Sequence, residues 1–142
     1  ATIKQGTAYG LPFDSNYFDV VLFADVVEHL DDPNRALTEI HRVLKPNGVL
    51  LLSTPHRQPD FVWDAPYHVH EYDADELRAL LTKFNDVKLT GCYPMPWMRF
   101  WRKHWLCRSI MRSLGRVGFH PLKKSSSIAS VDYGQIIVTC RK

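Results

Sequence analysis

The sequence predicts an α/β fold built on an open, mostly parallel sheet. Two short apolar runs rich in β-branched residues, at residues 19–24 and 49–54, have the pattern of strands buried on both faces. Between them, residues 31–33 supply a helix cap and a first-turn proline, and an amphipathic stretch follows that ends before Pro46. A strand, a helix and a strand joined by short connections predict a βαβ unit with parallel strands.

Three further elements are predicted towards the C-terminus. Asp73 and Glu76 have the spacing of a capping box, and apolar residues follow them at helical spacing as far as Phe84. Residues 87–92 and 135–140 have the composition of strands. Because no ordinary helical crossover separates these two strands, we expect them to form an antiparallel pair at the edge of the sheet.

Length and composition indicate one globular domain. The chain has 142 residues, of which 45% are hydrophobic and 23% are charged. No window holds the roughly 18 to 20 consecutive apolar residues that a membrane-spanning helix needs. The N-terminal residues lack the apolar core of a secretory signal, and the three cysteines are scattered, so we expect a cytoplasmic location.

Charge is divided unevenly along the chain. Residues 1–86 carry fourteen acidic and seven basic side chains, whereas residues 87–142 carry one acidic and eleven basic ones. Aromatic and basic residues alternate within the insert at 94–127, and a shift in its hydrophobic phase predicts a bend near residues 106–107. This basic aromatic insert is either a lid or membrane-surface element, or a pair of short helices packed on the sheet.

Four sequence segments, taken together, resemble a known family. They occur in the order seen in class I S-adenosylmethionine-dependent methyltransferases, and in particular in the type 11 methyltransferase domains. The segments are GTAYGLPF at 6–13, FDVV at 18–21, VEHL at 27–30 and RVLKPNG at 42–48.

The resemblance implies a Rossmann-like class I methyltransferase sheet whose final strand is antiparallel. It also implies that the sheet is incomplete and starts at its third strand. Residues 1–142 would then form a partial methyltransferase domain that carries the insert at 94–127. The glycine-rich cofactor loop of the family, with its Gly-x-Gly-x-Gly pattern, does not occur in the sequence.

S-adenosylmethionine is the cofactor that the resemblance implies. In the family, the segment before Leu-Pro-Phe binds the adenine, and this chain has Thr7 and Ala8 there. Phe23, Ala24 and Asp25 end a strand at the carboxyl edge of the sheet, where open α/β folds bind ligands, so we expect them at the cofactor as well. Asp25 either caps the strand end or faces the substrate.

Glu28 and His29 are the pair of residues best suited to catalysis or metal binding. A histidine beside the methyl donor could remove a proton from a substrate hydroxyl, so His29 is the predicted catalytic residue. The pair also resembles the Glu-x-x-Glu-His metal motif of small-RNA 2′-O-methyltransferases, with Asp25 at the first position and a further histidine from a later segment, where His56, His68 and His70 are available. Such a ligand set would suit Mg²⁺, Mn²⁺ or a similar ion. A structural role at the start of a helix is the alternative, and we assign no metal ligand.

Two histidines downstream are candidates for the substrate pocket. His68 and His70 lie on one face if this segment is extended, ahead of the predicted helix. Glu28, His68 and His70 are therefore the predicted substrate-binding residues, with packing within the loop as the alternative for both histidines.

Methyl transfer to an oxygen, nitrogen or carbon nucleophile of a small molecule is the function that the resemblance implies. The basic aromatic insert favours a lipid-like or anionic acceptor, met at a membrane surface. The alternatives are a non-catalytic methyltransferase-like remnant or interaction module, and RNA 2′-O-methylation. A homodimer that covers the open sheet edge is the expected assembly, and nucleic acid is not an expected partner.

Overall fold

The computed structural model describes residues 2–58, 66–94, 126–127 and 133–142, which form one mixed sheet with helices packed against it. The elements in chain order are β1 (Phe18–Ala24), a 3₁₀ turn (Val27–His29), α1 (Pro33–Val43), β2 (Leu44–Pro55), α2 (Ala74–Leu80), β3 (Asn85–Pro94), β4 (Ser126–Ser127) and β5 (Tyr133–Arg141).

The sheet has the strand order β1-β2-β5-β3-β4. Strands β1 and β2 are parallel as predicted, and Ala24 lies opposite Ser53 at their carboxyl ends. Strand β5 is antiparallel to both β2 and β3, which confirms the predicted antiparallel final strand. Within the predicted antiparallel pair, β5 lies on the inner side, between β2 and β3, and the two-residue β4 lies beyond β3. The alternate side chains of β5 are fully buried and complete the core: Ile136, Val138 and Cys140.

Local sequence signals determine both helices. The side chain of Asp32 accepts a hydrogen bond from the backbone N–H of Arg35 (3.0 Å), and Pro33 occupies the first turn of α1. Asp73 and Glu76 form the predicted capping box at the start of α2. The helices and the inner face of the sheet share one buried core, which includes Leu37, Ile40, Leu50, Leu52, Leu77 and Leu81.

Strand β1 departs from the prediction of burial on both faces. Val21 and Phe23 pack against the core, whereas Val20 and Leu22 on the opposite face are 52% and 72% exposed. An apolar run indicates that a strand is suited to burial, but it does not show which segment covers each face.

The segment before β1 runs along helix α1. The backbone N–H of Leu11 donates to Glu39, and the Arg42 guanidinium donates to the carbonyls of Leu11 and Phe13. The hydrogen bond from Arg42 and the one from the Leu11 amide hold the pKa of Glu39 below its usual range. These contacts fasten residues 11–13 to the helix and thereby position the turn that precedes them.

The predicted insert at 94–127, with its bend near residues 106–107, lies outside the described residues except at its ends. At the far end, Ser126–Ser127 pair with Thr90 and Gly91 of β3. Within the described ranges, no helix is both long enough and apolar enough to cross a bilayer.

Candidate functional site

The carboxyl ends of β1, β2 and the start of β5 meet at Asp25. Its backbone adopts a left-handed conformation (φ 51°), and its N–H donates to the Ser53 carbonyl (2.9 Å). Its Oδ1 accepts hydrogen bonds from the Ser53 hydroxyl and from the Gln135 amide, both at 2.9 Å. Of the two roles left open by the sequence, Asp25 therefore has the contacts of a residue that joins strand ends.

Glu28 lies on the 3₁₀ turn that follows β1, and its side chain is fully buried. The hydroxyl of Thr54 donates to Oε2 at 3.0 Å. The other carboxylate oxygen, Oε1, is also buried, and no atom of the described residues forms a hydrogen bond to it. A buried carboxylate oxygen without a partner is energetically unfavourable, so this atom indicates a functional site rather than a contribution to stability.

His29 is held in a defined orientation beside Glu28. Its Nδ1 lies 2.9 Å from the carbonyl oxygen of Tyr67. A carbonyl can only accept, so Nδ1 carries the proton and donates it. In the neutral ring the lone pair then resides on Nε2, which lies 4.0 Å from Oε1 of Glu28, and the side chain is 41% exposed.

The loop after β2 brings a second imidazole to this pair. The backbone N–H groups of Val69 and His70 donate to the carbonyl of Glu28, at 2.8 and 3.2 Å. The His68 ring consequently packs edge-on against His29, with 5.0 Å between the ring centroids. Its Nδ1 lies 3.3 Å from a carboxylate oxygen of Glu71, and its side chain is 13% exposed.

The structure thus brings together three of the predicted site residues. One ligand atom from each of Glu28, His29 and His68 lies within 4.8 Å of the others. His70 is not in this group, because its Nε2 faces Glu76 at 3.3 Å and its ring packs on Tyr72. His56 is buried elsewhere, with Nδ1 at 2.9 Å from the Tyr133 carbonyl.

The predicted cofactor residues lie in two places. Thr7 and Ala8 belong to a turn closed by a hydrogen bond from the Gly10 N–H to the Thr7 carbonyl, and Thr7 is exposed. The Tyr9 hydroxyl accepts from the Asp32 N–H at 3.4 Å, so this turn lies near the start of α1.

Phe23 and Ala24, the other predicted cofactor residues, end strand β1. The side chain of Phe23 packs against the core, and Ala24 is exposed at the strand end. Helix α1 follows β1 in the chain, so the turn at Thr7 and the end of β1 lie towards the same edge of the sheet.

Several contact residues were missed at the sequence level. Thr54 and Ser53 follow the apolar part of β2, and their hydroxyls contact Glu28 and Asp25. Polar residues at the carboxyl end of a buried parallel strand were the available signal for both. Glu71 and the carbonyl of Tyr67 carry no such signal, because their contacts depend on how the loop folds back.

The pKa of one further side chain in this loop, Tyr72, is also shifted. Burial raises the pKa of the Tyr72 hydroxyl, and the nearby carboxylates of Glu76 and Glu28 act in the same direction. The Tyr72 hydroxyl therefore stays neutral over the physiological pH range.

Comparison with known proteins identifies the N-terminal part of the chain. A family model described as a methyltransferase domain matches residues 1–52. A probable S-adenosylmethionine-dependent methyltransferase of Mycobacterium tuberculosis is 37% identical over 103 residues, which are 68% of this chain and 38% of that protein. The chain therefore spans well under half the length of this relative.

Solved structures show the same fold. A methyltransferase from Thermotoga maritima, described as a possible histamine N-methyltransferase, superposes with a TM-score of 0.69 at 20% identity, covering 96% of this chain and 62% of that one. Haemonchus contortus phosphoethanolamine N-methyltransferase 2, in complex with S-adenosylmethionine, gives a TM-score of 0.59 at 16% identity, over 96% of this chain and 36% of that one. Residues 1–52 therefore match a methyltransferase domain in sequence, and the chain shares the fold of these solved methyltransferases.

Proposed function

We propose that this chain is part of an enzyme that transfers a methyl group from S-adenosylmethionine to a nucleophile of a small-molecule acceptor. The observation that carries the proposal is the meeting of Glu28, His29 and His68 beside the carboxyl edge of β1 and β2. Ligands of open α/β sheets bind at this edge. The match of residues 1–52 to the methyltransferase domain supports the choice of reaction.

The residues at this edge fit the adenosine side of the cofactor. The exposed hydroxyl of Thr7 can accept a hydrogen bond from an exocyclic amine, and Ala8 offers a backbone N–H to a ring nitrogen. Ala24, at the exposed end of β1, has a side chain small enough to leave room for a ligand. We therefore assign Thr7, Ala8 and Ala24 to the cofactor side of the site, and Phe23 and Asp25 to the strand end that positions it.

His29 is the proposed proton acceptor. When bound, S-adenosylmethionine supplies a methyl group that its positive sulfur has already activated. The chain has to orient the acceptor and remove its proton, and Nε2 of His29 has the free lone pair for this step. The carboxylate of Glu28, 4.0 Å away, stabilises the positive ring that results.

The acceptor is assigned to the side of the site formed by Glu28, His68 and His70. A lipid-like or anionic acceptor, and contact with a membrane surface, rest on the basic aromatic residues of the insert at 94–127. A homodimer that covers the open sheet edge rests on the position of β1 at one end of the strand order of the described residues.

Calorimetric titration with S-adenosylhomocysteine tests the cofactor assignment. We expect binding with a dissociation constant on the order of micromolar. Ala24→Phe should abolish the heat because it fills the strand end, whereas Val20→Phe, on the same exposed face, should leave it unchanged. Absence of heat up to millimolar ligand would instead favour the non-catalytic remnant.

The role of His29 needs a separate measurement. A screen with radiolabelled S-adenosylmethionine identifies an acceptor, after which His29→Ala is compared with the wild type. We expect kcat to fall by roughly 100-fold or more, with binding of S-adenosylhomocysteine unchanged. An unaltered kcat would exclude His29 as the base, and transfer to RNA rather than to small molecules would replace the proposed acceptor class.

A further inference from the structure

The role proposed for Glu28 in the reaction uses only the charge of its carboxylate, and it leaves the oxygen Oε1 without a hydrogen-bond donor among the described residues. This oxygen is buried. Yet it faces Nε2 of His29 at 4.0 Å, and one ligand atom from each of Glu28, His29 and His68 lies within 4.8 Å of the others. An unpartnered buried oxygen that is surrounded by two imidazoles requires a positively charged or donating partner.

We propose that Glu28, His29 and His68 bind a divalent transition-metal ion. One carboxylate and two imidazoles form the ligand set of many catalytic zinc sites and of the facial triads that hold Fe²⁺. Two nitrogen ligands favour ions of this class over Mg²⁺ or Ca²⁺, which prefer oxygen. The partly exposed His29 leaves one side of the site open to a further ligand.

The spacing of the ligand atoms is close to what such an ion needs. The three ligand atoms lie no more than 4.8 Å from one another. Three atoms at the corners of a triangle with sides of this length lie about 2.8 Å from its centre. Bonds from Zn²⁺ to nitrogen and oxygen are about 2.0 to 2.2 Å. Each ligand atom therefore has to move inward by at most about 0.8 Å, which side-chain rotation of His29 and His68 can supply.

The surrounding contacts have the form that orients metal ligands. Nδ1 of His29 donates to the Tyr67 carbonyl, and Nδ1 of His68 faces the Glu71 carboxylate. Metal-binding histidines almost always use their other ring nitrogen in this way. Thr54 holds the second oxygen of Glu28, so the first remains directed at the imidazoles.

Ion binding and the proposed base role use the same lone pair on His29. In the metal-free protein, Nε2 is able to accept a proton, whereas in the metal-bound protein it is a ligand. An ion with an open position would then bind the acceptor oxygen and favour its deprotonation. Metal binding itself does not depend on the proposed methyl transfer. Only the binding and deprotonation of an acceptor oxygen rest on the proposed function.

Titration of the chain with Co²⁺ tests the proposal without cofactor or acceptor. We expect one equivalent to bind and to produce visible d–d absorption, with Zn²⁺ displacing it. His29→Ala and His68→Ala should each weaken binding by at least about tenfold. His70→Ala is the matched control, because it removes an imidazole from the same loop that pairs with Glu76 instead, and its affinity should equal that of the wild type.

Glu28→Gln keeps an acceptor for the Thr54 hydroxyl and removes the charge, so it provides a variant that retains the fold. It should bind Co²⁺ at least about tenfold more weakly while still unfolding in one cooperative transition in the absence of metal. Equal binding by the wild type, His29→Ala and His68→Ala would overturn the proposal, as would no absorption up to millimolar Co²⁺. Binding of Co²⁺ without binding of S-adenosylhomocysteine would refute the methyltransferase proposal alone, and the reverse result would refute the metal site alone.

Discussion

The buried hydrogen bond between Thr54 and Glu28 provides the sharpest test of how the site is built. Both side chains are fully buried, and the Thr54 hydroxyl lies 3.0 Å from Oε2. Valine has nearly the shape of threonine but no hydroxyl, so Thr54→Val removes the hydrogen bond and creates almost no cavity. A hydrogen bond to a charged group contributes about 1.5 to 3 kcal/mol, so we expect the free energy of unfolding to fall by this amount.

Urea unfolding followed by circular dichroism measures this change, and Thr54→Ser is its control. Serine keeps the hydroxyl and loses one methyl group, which should reduce the free energy of unfolding by only about 0.8 kcal/mol. A loss below about 0.5 kcal/mol for Thr54→Val would refute the reasoning, since the carboxylate would then not depend on this donor. So would an equal loss for both variants, because packing alone would then explain the effect.

Two further predictions concern the cap of α2 and a buried thiol. Asp73→Ala removes the acceptor for the backbone N–H groups of Asp75 and Glu76 and the ion pair with Arg57, so unfolding in urea should become easier by about 1 kcal/mol. The hydrogen bond from the Glu76 backbone N–H and the charge of Arg57 lower the pKa of Asp73. The difference in the free energy of unfolding between the wild type and Asp73→Ala should therefore persist above about pH 4 and shrink at lower pH. A constant difference down to about pH 3 would contradict this prediction. Burial raises the pKa of the Cys140 thiol to about 11. At about pH 8, iodoacetamide should therefore modify Cys140 in urea and not in the native protein, which mass spectrometry measures. Modification of Cys140 in the native protein would contradict this prediction.

Local signals account for most of the predicted elements. Asp32, Pro33 and the pair Asp73 and Glu76 determine where both helices start, because a capping side chain needs only its own next three residues. The two parallel strands were recognisable for a similar reason, since their apolar runs are short and the helix between them is strongly amphipathic. The antiparallel direction of the last strand followed from the lack of a helical crossover before it, and the resemblance implied the same direction.

Features that depend on distant partners could not be predicted. The position of β5 inside the sheet depends on its pairing with both β2 and β3, and nothing in its own alternation distinguishes an inner strand from an edge strand. The exposure of Leu22 likewise depends on which segment covers β1. Among the candidate histidines, His56, His68 and His70 were equivalent in the sequence, and only the docking of a loop distinguishes them.

That docking has a consequence for how the site varies among proteins of this fold. The family match ends at residue 52, so it includes Glu28 and His29 but neither Thr54 nor His68. The backbone hydrogen bonds from Val69 and His70 to the Glu28 carbonyl form with almost any side chain at those positions. A relative can therefore keep the loop docked while changing the residue at position 68, and thereby exchange an imidazole for another group beside His29. The chemistry of the site is in this way separable from the fold, because the turn after β1 sets the first two residues and the loop sets the third.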